Sequence, residues 1–362
     1  MRKVTVRFEP STQSIEVPEG TTLLEAATAA AVLLSMPCGG RGWCGKCRVS
    51  LGSGELSAPT RAEAERLGAE EIGRGIRLAC QCEVRGNCVI EVPTSTMLLA
   101  PAIAERGEAR HYALGPNVSS QVVNAPPPSL ADQRSDLRRV LEAAGRRADL
   151  PLSLPVLRSL PKALRQGNFS VTLVWVGDDV ARVIPGAQAA PLLGAAFDIG
   201  TTTVVGTLFD LRSGKQLALE SRLNPQAVHG ADVLSRLSFA ADQGGLEMLR
   251  KEIVACLGEM IRALLRQAGE AQENLYEVVT VGNQVMTHLL LGISPEAIGR
   301  TPFTPVLQSP FVASLAEVGL PGWPQGGLYV VPGVAGYVGA DIVAGIVASG
   351  MCDLRRPQLF MD

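Results

Sequence analysis

The sequence has few aromatic residues, three histidines and almost no net charge, and each shortage excludes something. Aromatics make up 4% of the 362 residues and the formal charge is −2. There is no basic stripe interleaved with rings of the kind that grips nucleic acid, so no nucleic-acid partner is expected. Long uninterrupted apolar runs are also missing. Residues 22–36 carry Glu25 and are too short to span a bilayer, and residues 328–348 contain Pro332, Asp341 and several glycines. Both read as elements of a soluble core, with no membrane partner. The chain opens on a charged strand pattern, R-K-V-T-V-R-F, instead of a signal sequence. A cytoplasmic location is expected, where a disulfide framework would not persist. At this length two to three domains are expected.

What is present is cysteine, eight in all. Cys38, Cys44 and Cys47 fall in the run C-G-G-R-G-W-C-G-K-C, with spacing C-x5-C-x2-C, and Cys80 follows in R-L-A-C-Q. A zinc site would want a second C-x2-C or nearby histidines, and neither accompanies this loop. The pattern reads as a [2Fe–2S] ferredoxin site, in which four thiolates hold two irons. Glycines at 39, 40, 42 and 45 allow a short loop to wrap the cluster and aim N–H groups at its sulfurs. The spacing is one residue longer than the plant type and looks more like the adrenodoxin-like branch. Strand alternation alone cannot choose between Cys80 and Cys82, which share a face. Cys82, Cys88, Cys256 and Cys352 read as small buried apolar residues. Strand patterns at 2–8, 13–17, 48–51 and 89–92, with a helix at about 22–34, follow the β-grasp order of a ferredoxin. A ferredoxin-like domain is therefore expected over 1–93.

Residues 94–129 are expected to be a linker ending in A-P-P-P-S, a stiff extended spacer. A helix over about 130–147, a short helical segment and a strand at 171–176 suggest a small α/β middle domain over 130–190. A third unit, 191–362, opens with F-D-I-G-T-T-T-V-V-G. Asp198 ends an apolar strand, and Gly200, Thr201, Thr202 and Thr203 form a turn into the next. Such a hairpin can offer N–H groups and hydroxyls to phosphates, while the aspartate reaches Mg²⁺. It resembles the first phosphate motif of the actin/Hsp70/sugar-kinase superfamily, a ribonuclease H-like fold. Two later strand–turn–helix runs strengthen this: one with Gly282 and Asn283, the other with Asp341 in the first helical turn. Helix N-termini favour anions. Asp341 is read either as positioning an attacking water or as capping its helix. His229 and His288 read as packing or hydrogen-bonding residues, and His111 carries no signal.

Together the pieces resemble the reductive activators of corrinoid enzymes, also called corrinoid-activating ATPases. The matching runs are C-G-G-R-G-W-C-G-K-C-R-V, R-L-A-C-Q, F-D-I-G-T-T-T-V, N-P-Q-A-V-H-G-A-D-V-L-S-R-L, G-N-Q-V-M-T-H-L-L-L-G-I and G-Y-V-G-A-D. The expected class is thus multidomain, α+β and α/β. The resemblance selects Cys80 as fourth ligand. It implies an iron–sulfur protein that returns a corrinoid cobalt from Co(II) to Co(I), with ATP and Mg²⁺ assisting an uphill transfer. The implied partners are a corrinoid protein of a methyltransferase system and an upstream electron donor, and a homodimer is compatible with it. Two departures stand out. Trp43 sits where a smaller residue is usual, and Asp362 looks like the first residue of a second phosphate motif whose glycine and threonine do not follow. A C-terminally truncated activator with little ATPase activity of its own is expected. The competing readings are a ferredoxin-type carrier whose partial ATPase domain only docks to a partner, and a redox-regulated kinase-like enzyme.

Overall fold

The computed structural model describes residues 2–30, 32, 34, 38, 40–93, 95–96, 114–230 and 232–353. Gly39, His111, Asp362 and most of the first part of the expected linker lie outside them. The chain is multidomain, with three sheets among the described residues.

The first sheet has strand order β2-β1-β5-β3-β4. Strands β1 (Lys3–Glu9) and β2 (Gln13–Pro18) form an antiparallel hairpin, and β1 pairs in parallel with β5 (Cys88–Glu91). β3 (Arg48–Ser53) and β4 (Ile76–Leu78) complete it. Val4, Val6 and Phe8 alternate into the core, as a period of two requires. Helix α1 (Leu23–Ala29) begins at a Thr22/Glu25 capping box and lays Leu23, Ala26 and Ala27 across the sheet. Helix α2 (Arg61–Gly73), broken at Gly68, brings Glu63 onto Arg77 as a wholly buried, two-pronged ion pair at 2.9 Å per contact. This is a β-grasp unit.

The second sheet is antiparallel, β6 (Val118–Asn124), β7 (Ser170–Val176) and β8 (Asp179–Pro185), covered by α3 (Asp136–Ala143) and α4 (Leu154–Gln166). Two expectations change here. β6 lies inside the stretch read as spacer, pairing Val118–Asn124 with Val176–Ser170, so this unit starts well before residue 130. Its sequence, V-S-S-Q-V-V-N, buries only Val118 and Val123 and gives a weak pattern. The helix expected over about 130–147 is shorter. Ser129 and Asp132 form a bridged turn, and the Ser135 side chain caps at Arg138 N–H, so helix starts at Asp136.

The third sheet has order β11-β10-β9-β12-β14-β13. Strands β9 (Leu193–Ile199), β10 (Thr203–Asp210) and β11 (Gln216–Leu223) form an antiparallel meander. β12 (Leu275–Gly282) then pairs in parallel with β9, and β14 (Gly327–Val330) with β12, while β13 (Phe311–Ser314) closes the edge antiparallel. This order is the one a ribonuclease H-like lobe requires. α5 (Val233–Ala241), the 24-residue α6 (Gly245–Ala268) and α7 (Gln284–Leu291) contribute to its largest core, with the short α8 (Leu315–Val318) at its edge; α9 (Ala340–Ser349) follows β14. No helix among the described residues is long and apolar enough to cross a membrane.

Candidate functional site

The cysteine loop places four sulfurs in two pairs. Cys44 Sγ lies 3.2 Å from Cys38 Sγ, and Cys47 Sγ lies 3.3 Å from Cys80 Sγ. None is in a disulfide. Each pair has one thiol that donates and one that accepts. Burial alone would raise Cys38, but the bond from Cys44 and backbone N–H groups at Cys44 and Gly42 outweigh it and hold its pKa down. The bond from Cys47 brings Cys80 down to about 7, helped by Gln81 and the Gly42 N–H, while the same bond and burial drive Cys47 far up. Burial, with a smaller push from the shared hydrogen bond, raises Cys44. Cys82, Cys88 and Cys256 behave differently: burial pushes them to about 12, 11 and 11. They are buried packing residues. Cys352, read with them as buried, is exposed.

Gly42 shows why the loop needs glycine. Its φ is +78°, and a Cβ there would sit 2.7 Å from the Gln81 side chain. That side chain bonds the Gly40 carbonyl at 3.2 Å and reaches Cys80 Sγ at 3.7 Å. Two thiol pairs with N–H donors converging on their sulfurs fit a two-iron cluster, one iron per pair. Cys38/Cys44 would hold the first and Cys47/Cys80 the second.

The second candidate site is made largely of backbone. In the turn after β9, the Asn224 amide donates to the Gly200 carbonyl at 2.8 Å, Arg236 to the Thr201 carbonyl, and the Asn224 backbone N–H to the Thr202 carbonyl at 2.8 Å. In a trans peptide each carbonyl points away from the following N–H. Three successive carbonyls of the turn are thus held by Asn224 and Arg236, which fixes the orientation of the peptides between them. Neighbouring turns crowd in. Asn283, N-cap of α7, donates to Thr201 Oγ1 at 3.1 Å. A Cβ on Gly282 would lie 2.7 Å from the Ile199 carbonyl. One on Gly339 would lie 2.5 Å from Asn283 Cα and 2.8 Å from Asp341 Oδ1. Asp198 is paired in register with Val281, one step before this junction. The fold thus gathers Asp198, Gly200–Thr203, Gly282, Asn283 and Asp341 at one end of the sheet. Asp341 accepts the Ile342 N–H at 2.9 Å, a local bond within the first turn of α9, whose N-cap is Gly339. Gln284, beside Asn283 and almost wholly buried, keeps an amide nitrogen without a hydrogen-bond partner among the described residues. Buried donors are rarely left so.

Sequence reasoning missed Asn224, Arg236 and Gln284, although the first two lie in the run N-P-Q-A-V-H-G-A-D-V-L-S-R, which carries part of the family resemblance. Both histidines prove to be hydrogen-bonded. His288 Nδ1 contacts the Gln284 carbonyl at 2.7 Å and Nε2 accepts from Val306 N–H at 3.0 Å, and burial lowers its pKa. His229 pairs with Glu252 at 2.7 Å and stacks on Phe239.

The cysteine loop also touches the third unit. Arg41 bonds Ser238 on α5 and Asp242 at its end, each at 3.0 Å. Between loop and helix lies a cavity of about 290 Å³ lined by Cys38, Trp43, Cys44 and His229, among others.

Three family models match the chain. The 2Fe-2S iron-sulfur cluster binding domain matches residues 6–85, the RACo linker region 107–190 and the RACo middle region 193–353. The corrinoid activation enzyme RamQ of Eubacterium limosum is 28% identical over 99% of this chain and 57% of its own length. A solved structure of a reductive activator for a corrinoid, iron-sulfur protein is 32% identical, with TM-score 0.63, over 98% of this chain and 59% of that one. A component of the Na(+)-translocating NADH-quinone reductase of Haemophilus influenzae matches the first unit only: 40% identity over 22% of this chain and 20% of its own. The chain therefore spans a little under three-fifths of the two relatives it matches along its whole length.

Proposed function

We propose that this chain is a reductive activator for a corrinoid protein, delivering single electrons to it and returning cobalt from Co(II) to Co(I) in an ATP-dependent manner; three matched regions and two full-length likenesses support the reading. The observation that carries this reading is one chain holding both a two-pair thiol loop and, at one end of the third sheet, a turn after β9 that gathers Asp198, Gly200–Thr203, Gly282, Asn283 and Asp341. Bound by Cys38, Cys44, Cys47 and Cys80, a [2Fe–2S] cluster would supply one-electron chemistry. The protein's own residues do the rest. N–H groups at Gly42, Cys44 and Lys46 stabilise negative charge on the sulfurs. Gly200–Thr203 and the N-terminus of α7 would hold the phosphates, and Asp198 and Asp341 stand where an acid can orient Mg²⁺ or water. The corrinoid partner is the substrate, and an upstream donor reloads the carrier.

Two measurements test this. Iron content and visible absorption of single Cys→Ser variants should show the cluster lost in Cys38, Cys44, Cys47 and Cys80 variants and retained in Cys82→Ser. A full cluster in Cys80→Ser would overturn that ligand set. In the complete protein, if a longer chain exists, conversion of a Co(II) corrinoid protein, followed anaerobically by the Co(I) absorption band, should need ATP and be blocked in Asp198→Ala with cluster reduction intact. If that variant activates as well as wild type, the second reading stands: an electron carrier whose lobe only docks. The contact of Arg41 with α5 favours that much of it, since it places the carrier against the lobe.

A further inference from the structure

Arg236 is a cation sealed in the third unit with no carboxylate in contact among the described residues. It is wholly buried. Its guanidinium donates to the Gly230 carbonyl at 2.9 Å, the Thr201 carbonyl, Gln226 Oε1 at 3.4 Å and Met286 Sδ at 3.1 Å. Burial pulls its pKa down to about 10. A charge taken out of water whose direct hydrogen-bond partners are all neutral, with Asp232 and Glu252 acting on it only at longer range, is costly. The fold keeps it on the Thr201 carbonyl, in the turn after β9.

The helix that carries Arg236 has a second face. Ser238 and Asp242 lie at the surface and hold Arg41 of the cysteine loop. Upstream on the same segment, Asn224 braces the Gly200 and Thr202 carbonyls, and Val228 packs against the core of the first unit. Residues 224–242 thus touch the phosphate turn on one side and the cluster-bearing unit on the other. The cavity of about 290 Å³ between loop and helix leaves that second contact loosely filled.

We propose that Arg236 is a positioning residue that couples the phosphate turn to the cluster loop through α5. This rests on the reading of the turn as a phosphate site. A phosphate accepting from Thr202 N–H polarises the 201–202 peptide and makes the Thr201 carbonyl a stronger acceptor for Arg236. The pull is passed to α5, whose outer face grips Arg41. Occupancy of the turn then sets how firmly the cysteine loop is held, and by reciprocity the loop's docking sets affinity at the turn.

The test uses the 362-residue protein carrying its cluster, with MgATP as probe. Binding is measured by calorimetry. Docking is read from the rate of iron loss to a chelator and from quenching of Trp43, which is 58% exposed. MgATP should change the chelation rate about threefold, the scale set by an exposed ion pair. Asp242→Ala should abolish that response and shift MgATP affinity by the same factor. Arg236→Lys, which keeps charge but loses the planar fork, should bind MgATP yet uncouple the chelation rate. If Arg236→Lys does not fold, the surface variants Asp242→Ala and Ser238→Ala carry the test. MgATP binding of equal affinity in wild type and Asp242→Ala, with the chelation rate unmoved, would overturn the coupling while sparing the phosphate site. No heat of binding in wild type would sink the phosphate reading and the coupling with it.

Discussion

The middle sheet and the third unit share a core, whereas the ferredoxin-like unit meets that same third unit through a rim of exposed polar contacts. At the first joint, Tyr276 on β12 is wholly buried with Val118, Val174, Ala181 and Leu192. Arg182 stacks 4.6 Å over Trp323 and donates to the Tyr276 hydroxyl at 3.1 Å, and Trp323 Nε1 donates to the Ala181 carbonyl at 2.6 Å. At the second joint, Arg41 and Asp242 pair with 47% and 59% of their side chains exposed, beside the partly buried Val228. Apolar burial with satisfied polar groups is worth several kcal/mol, and an exposed ion pair at most about 1. The difference says which boundary opens. By these contacts the boundary of the cluster-bearing unit is the one that costs less to open.

Breaking the firm joint should have the largest effect. Tyr276→Ala removes a buried ring and leaves Arg182 without its hydroxyl partner, at a cost of about 3–5 kcal/mol. Urea unfolding followed by circular dichroism should show the midpoint fall, with the middle sheet melting separately from the lobe. A loss below about 1 kcal/mol would mean the two units are not joined through this core.

Next comes the contrast between the two kinds of ion pair that the first unit makes. Arg77–Glu63 is buried and bidentate, and Glu63 also accepts the Leu78 N–H at 3.1 Å. Glu63→Gln strands a buried guanidinium and should destabilise this unit by about 3 kcal/mol. Burial raises the Glu63 pKa, but Arg77 and the N–H groups of Thr60 and Leu78 outweigh it, so the folded value lies below the usual one. The sign follows. The stabilisation is present above the unfolded carboxyl value, about 4.3, and is lost as pH falls through the lower folded value. Acid titration of the wild-type protein should show that loss, and Glu63→Gln should not. An unchanged acid limb would remove Glu63 from the account. A smaller effect is expected from Trp323→Phe at the firm joint. It gives up the bond to the Ala181 carbonyl while keeping most of the ring, costing about 1 kcal/mol by thermal melt.

How much of this was legible in sequence depended on the distance over which residues act. The cysteine loop was legible because its spacing is local, and the structure places those sulfurs side by side. The strands around Asp198, Gly282 and Asp341 were legible from apolar runs ending in glycine. β6 was not, because only two of its seven residues are buried and prolines follow it closely. The 24 residues of α6 have a helical pattern but carry no motif, and nothing in them pointed to the site. Arg41–Asp242 and Arg236–Thr201 join residues 201 and 35 positions apart. Nothing local marks an arginine as the one that crosses to another unit or goes inside. The orphaned amide of Gln284 becomes visible only once Gly333 is seen packed on it.

The smallest effect tests the loose joint directly. Asp242→Ala deletes an exposed acceptor, so global stability should change by well under about 1 kcal/mol. What should change is the salt dependence of docking. Exposed charges are screened beyond about 10 Å at 0.1 M salt and about 3 Å at 1 M. Raising salt should therefore loosen the wild-type contact and speed iron loss to a chelator, while Asp242→Ala should be fast already and respond little. Arg41→Lys keeps the charge but cannot bond Ser238 and Asp242 together with one fork, so it should fall between the two. If wild type and Asp242→Ala lose iron at the same rate across that salt range, the ion pair does not hold the joint. The packing of Val228 would then be the contact to remove, and the contrast between a core-built and a charge-built boundary would have to be redrawn as one between a large apolar contact and a small one.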